Sequence, residues 1–146
     1  MRIALLNHIR CPLCKTSLEL TIFEVNEEDL PEDFPIDKKD KLVGLHGSFD
    51  RLIDSGKSLG IPETTIKEIN IKYGILYCNS CKRWYPIGNY IPTVPELYYP
   101  DNLRNKSKEL KFIKQWKSLF PEFVLTQGVP WNITDIKAQS KEKVNK

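Results

Sequence analysis

No run of apolar residues in the chain approaches the roughly 18 needed for a membrane helix. Its opening, "MRIALLNHIRC", also lacks a full apolar h-region and a small-residue cleavage site. A cytoplasmic protein without a membrane partner is expected. Histidine is scarce, with only His8 and His46 in 146 residues. His46 has no Cys or Ser in a triad context, and His8 is a weak ligand candidate beside four cysteines. No G-x-G-x-x-G occurs. "SGKS" at 55–58 fails as a P-loop because Arg51 stands where that motif needs its first glycine. Nothing in the chain offers a nucleotide or cofactor cradle, and no catalytic residue is assigned.

A strong charge of one sign is also lacking, the net charge being +3. The charge is unevenly spread, however. Glu19 to Asp40 carries nine acidic residues against two lysines, and Arg104 to Lys146 ten basic against four acidic. Two solvated faces account for this, and the basic C-terminal region also offers lysines for RNA contact. The Asn-x-Ser/Thr sequons at Asn105 and Asn132 carry no weight in a cytoplasmic chain.

What is present is a pair of C-x-x-C motifs, Cys11/Cys14 and Cys78/Cys81, separated by 63 residues. Two intervening residues let the chain turn back so that both sulfurs reach one ion, and four thiolates make a closed tetrahedral zinc site. Neither pair sits in the βαβ setting of a redox dithiol, and disulfides are disfavoured in the cytoplasm. Structural zinc on Cys11, Cys14, Cys78 and Cys81 is the expectation. The gap exceeds the usual ribbon spacing, so something folded is inserted between the halves.

The expected fold is α+β. It is a zinc ribbon with a small antiparallel sheet, a helical insertion between the two knuckles and a C-terminal helical extension. The boundaries are 1–25 and 67–103 for the ribbon, 26–66 for the inserted lobe, 104–136 for the extension and 137–146 for a disordered tail. Residues 17–25 alternate like a strand, and residues 48–59 read as a helix capped by Ser48. A turn at 62–66 and a strand at 67–73 follow, with Gly74 breaking it before a second strand. Leu110, Ile113, Trp116 and Phe120 fall at helical spacing. Phe112, Trp116 and Trp131 read as core more readily than as interface.

After the second knuckle, Tyr85, Ile87, Ile91 and Val94 make an apolar run stiffened by Pro86, Pro92 and Pro95. Proline in such a run points to an edge strand, whose unpaired backbone can add to another chain's sheet. Packing on the protein's own helices is the competing reading.

"GILYCNSCKRWYPIGNYIP" resembles the signature of the zinc-ribbon activator subunits shared by several methyltransferases of the translation apparatus. Gly74, Leu76, Cys78, Cys81, Tyr85, Pro86, Ile87, Ile91 and Pro92 match that pattern, and "MRIALLNHIRCPLC" is similar to the family's start, with Asn7 at its asparagine. The resemblance covers residues 1 to about 97. It departs at Tyr90, where the family has glycine, and at Thr93 to Pro95, where a methionine is usual. It implies a non-catalytic activating and stabilising subunit, forming a heterodimer with Rossmann-like S-adenosylmethionine-dependent methyltransferases. Those enzymes act on tRNA, rRNA or translation factors. Leu5, Leu6, Asn7, Tyr85, Ile87, Ile91, Pro92 and Val94 are then the expected partner contacts. A nucleic-acid-binding zinc ribbon of the transcription or translation machinery is the alternative.

Overall fold

The computed structural model describes residues 1–32, 34–88 and 104–144. Four antiparallel strands form one sheet in the order β2-β1-β3-β4: β1 is Glu19–Val25, β2 His46–Gly47, β3 Ile71–Tyr77 and β4 Trp84–Ile87. The helices are α1 (Lys39–Leu42), α2 (Phe49–Ser58), α3 (Glu63–Glu68), α4 (Lys106–Trp116), α5 (Glu122–Gln127) and α6 (Ile133–Val144). The architecture is thus α+β, and among the described residues no helix is long and apolar enough to cross a membrane.

Each face of the sheet has its own core. On the first, Leu18, Leu20, Ile22 and Leu76 meet Ile3 and Leu6 of a 3-10 helix at Ile3–His8, together with Leu52, Ile53 and Ile66 from α2 and α3. Ile22 and Val25 share that core although they are three positions apart, because the β1–β3 register shifts between them. The residue in the shift, Phe23, turns to the opposite face, where it joins Ile75, Tyr77 and Trp84. This second core is completed by Leu110, Phe112, Ile113, Phe120, Val124 and Trp131 of the C-terminal extension. Phe112, Trp116 and Trp131 therefore pack inward, as their spacing suggested.

Gly74 does not break the strand. It lies mid-β3, between Ile22 of β1 and Ile87 of β4. A β-carbon there would come within 2.5 Å of the Thr21 carbonyl oxygen, so glycine lets β1 and β3 approach without ending either. The turn expected at 62–66 is instead helix α3, and β3 starts at Ile71. The tail from Lys137 is helical as far as Val144 rather than disordered. Its nucleus is a reciprocal cap. The Asn132 side-chain oxygen accepts from the Thr134 backbone, and the Asn132 backbone donates to Asp135. Asn105 likewise caps α4, accepting from the Lys108 backbone N–H. Both sequons are helix starts.

The inserted segment supplies more than helices, since β2 pairs with β1 through Leu20–Gly47 and Thr21–His46. His46 is an exposed strand residue there. "SGKS" lies at the end of α2, which Ser48 caps by accepting from the Arg51 N–H. Gly56 is there for packing. A β-carbon on it would overlap the Ile66 side chain of α3, lying 2.8 Å from Cγ1. Gly56→Ala should destabilise the protein by about 1–3 kcal/mol through overpacking, seen as a lower urea midpoint at unchanged slope.

Candidate metal centre

The chain's first residues are stitched alongside β3, which brings the first knuckle beside the second. The Met1 ammonium donates to the Asn70 side chain and the Ile71 carbonyl, and the Ile71 N–H donates back to Met1. From there the two C-x-x-C pairs fold alike. In the first, Cys11 accepts from the Lys15 N–H at 2.9 Å and donates to the Thr16 carbonyl at 2.9 Å. In the second, Cys78 accepts from Lys82 at 2.9 Å and donates to Arg83 at 2.8 Å. The fifth residue of each turn is left-handed, Lys15 at φ 63° and Lys82 at φ 65°. A lysine in that conformation costs about 1–2 kcal/mol relative to glycine. The closed turn and the sulfur positions it sets offset that cost.

The four sulfurs converge within 4.8 Å of one another. Cys11 and Cys81 are 3.6 Å apart, and Cys14 and Cys78 3.2 Å. Four sulfurs around a zinc ion with bonds of 2.3 Å lie about 3.8 Å apart, so the cluster has the size such an ion requires. Cys11 and Cys78 are buried, while Cys14 and Cys81 are half-buried at the rim. His8 is exposed and is not part of the group.

The surroundings push Cys11, Cys14 and Cys81 in different directions. The Thr16 hydroxyl and backbone, and then Cys78, hold Cys14 down at about 6. Burial pushes Cys81 up to about 12, although the Arg83 backbone opposes the rise. Burial also raises Cys11, but hydrogen bonds from the Cys14 and Leu13 backbones, Tyr85 and Cys81 outweigh it and leave a net lowering. A bound dication is the partner that lets all four become thiolates.

Two side chains that the spacing of the cysteines does not reveal support the site. Thr16 Oγ1 lies 3.0 Å from both Cys14 Sγ and Cys78 Sγ. The Tyr85 hydroxyl lies 3.7 Å from Cys11 Sγ. Polar groups that orient metal ligands typically carry 10–100-fold in affinity. Tyr85→Phe should therefore weaken metal binding by roughly 10-fold in a chelator competition titration, with the fold retained.

The expected partner surface is placed differently. Leu6, Tyr85 and Ile87 are buried in the first core, at 2%, 5% and 8% exposure, so their side chains face this chain's own interior. Tyr85 points at the sulfurs because neighbouring strand residues alternate, which sends Trp84 to the opposite core. Leu5 is half-buried and Asn7 exposed. Ile91, Pro92 and Val94 lie outside the described residues. At the backbone level, β4 does stand at the edge of the sheet.

A model of the Trm112p-like protein family matches residues 2–89. The chain belongs to the Trm112p-like family. This is the activator subunit family of methyltransferases, and the match spans both knuckles, the insertion and β4 while ending before the C-terminal extension. Searches of curated proteins and of solved structures returned no match. Membership implies a methyltransferase activator role.

Proposed function

We propose that this member of the Trm112p-like family is a non-catalytic activating and stabilising subunit of S-adenosylmethionine-dependent methyltransferases that modify tRNA, rRNA or translation factors. The family match over residues 2–89 carries the reading. The four-sulfur cluster supports it, because a closed tetrathiolate zinc site leaves no position for substrate and serves structure. Bound zinc would supply folding energy and rigidity to the two turns and to β4, with no part in chemistry. The partner's Rossmann-like sheet would add at the β4 edge, with Asn7, Leu5 and the segment containing Ile91, Pro92 and Val94 as contacts. The heterodimer would be cytoplasmic. Activation would come from burying an apolar surface of the enzyme and stabilising its folded form by mass action.

Any RNA contact within that complex would fall to the lysines of α4 and of the turn after it. Lys108, Lys111, Lys114 and Lys117 are all exposed at three-residue spacing, a row suited to substrate phosphates. An independent nucleic-acid-binding ribbon is the second reading. The deciding experiment purifies the tagged full chain from its native host and identifies bound proteins by mass spectrometry. One or more methyltransferases in near-stoichiometric amounts are expected. Polymerase or ribosomal components without any methyltransferase would sink the proposal in favour of the second reading.

A further inference from the structure

We propose that the C-terminal extension from Arg104 to Ile136 is a displaceable cover, occupying in cis the sheet face and the β4 edge that a partner's sheet would take. The methyltransferase identity of that partner rests on the function proposed above; the displacement does not.

The face comes first. Phe23, Ile75, Tyr77 and Trp84 form the apolar second side of the sheet, and among the described residues every buried one that covers them lies between Leu110 and Trp131. The family match stops at residue 89. The matched unit by itself would therefore present these four side chains to solvent, a contiguous apolar surface of the kind that marks an interaction site. In this chain the extension sits on it.

The edge is filled with the same economy. Val129 pairs with Arg83 in parallel, like a single residue of an added strand. The Trp84 N–H donates to the Val129 carbonyl at 3.1 Å, and the Val129 N–H donates to Lys82 at 3.0 Å. The Trp84 carbonyl accepts from the Arg104 guanidinium at 3.0 Å. Pro86, the next residue along that side of the strand, has no N–H to offer. The first half of the β4 edge is thus unavailable to another chain while the extension is in place.

The attachment is of the kind that opens. Among the described residues, the backbone pairing of the extension with Lys82 to Trp84 runs through Val129, whereas β1 and β3 share a ladder along their length. Two side-chain holds accompany the Val129 pairing: Trp84 Nε1–H donates to the Trp131 carbonyl at 2.9 Å, and Arg104 forms a latch. Arg104 is ion-paired with Glu109, both side chains being buried at 3% and 5% exposure, and its guanidinium lies over the rings of Trp84, Tyr85 and Trp131. Buried ion pairs set register more than they add stability. The pair lies within the extension, and what latches it to the sheet is the Arg104 guanidinium, which donates to the Trp84 carbonyl and lies over the Trp84 and Tyr85 rings.

Hydrogen exchange by NMR on the full zinc-loaded chain, at low denaturant, tests this. The amides of Phe112, Ile113 and Val129 should exchange through a partial opening that leaves Leu20, Ile22 and Leu76 protected. Arg104→Ala should speed that opening by roughly 100-fold, the order expected when a buried pair loses one partner, without altering the sheet amides. Glu109→Gln, which keeps the shape of the side chain, serves if Arg104→Ala does not fold. Exchange of extension and sheet together, in one global event in both wild type and variant, would overturn the proposal. Capture of a methyltransferase by a chain whose extension exchanges only with the sheet keeps the functional reading and discards the cover. A detachable extension with no methyltransferase captured does the reverse.

Discussion

Cys78→Ala should abolish stoichiometric metal binding and cooperative folding of the sheet. Metal analysis of the purified wild type is expected to find one zinc per chain, and of the variant none. Cys78 is fully buried, donates through its backbone to Arg83 and lies 3.2 Å from Cys14 Sγ. Its loss therefore removes a ligand from the interior, where no solvent group can replace it. Structural zinc contributes about 10–16 kcal/mol in small zinc-binding domains at neutral pH, which matches or exceeds the 5–15 kcal/mol net stability of a typical domain. A strong chelator added to the wild type should produce the same loss of near-ultraviolet circular dichroism. A variant that kept its metal and its melting transition would show that three sulfurs suffice and that the site is not a closed four-ligand one.

Trp84→Ala should destabilise the protein by about 3–5 kcal/mol, at the upper end for a buried aromatic. Trp84 is fully buried at the junction of β4 with the extension. Its ring stacks on Phe112 and meets Phe120 edge-on, while Nε1 donates to the Trp131 carbonyl at 2.9 Å. Truncation leaves both a cavity and an unpaired buried carbonyl. Urea denaturation followed by far-ultraviolet circular dichroism measures the loss. Trp84→Phe separates the two terms, since it fills most of the space but cannot donate the hydrogen bond. A loss below about 1 kcal/mol for the alanine variant would mean that the second core collapses around the gap.

The cysteine motifs were the most legible part of the chain, because two intervening residues bring two sulfurs to one side of a turn whatever surrounds them. One helix cap was readable too. Ser48 accepts the backbone hydrogen bond that its residue type suggests. The face onto which β4 sends each side chain was not readable. A period of two puts Trp84 and Tyr85 on opposite sides, but only pairing with Tyr77 and Leu76 decides which side meets the sulfurs. Tyr85, expected among the partner contacts, is buried here with its hydroxyl 3.7 Å from Cys11 Sγ. Gly74 misled for a related reason. Glycine is a strand breaker in isolation, and here the close approach of the Thr21 carbonyl makes it a requirement of the sheet. The basic composition after Lys137 suggested disorder. It contains no helix breaker, and the Asn132–Asp135 cap is enough to start α6.

The four-sulfur cluster also has a consequence in time. Cys11 and Cys14 are separated from Cys78 by 63 residues, which a ribosome adding roughly 5–20 residues per second takes about 3–13 seconds to make. Throughout that interval the first pair is a bare dithiol, and β1 lacks its main partner because β3 leads directly into Cys78. Assembly of the site therefore runs in two stages with an oxidation-sensitive intermediate between them. Any oxidant present in those seconds meets Cys11 and Cys14 before the sulfurs that will share their ion.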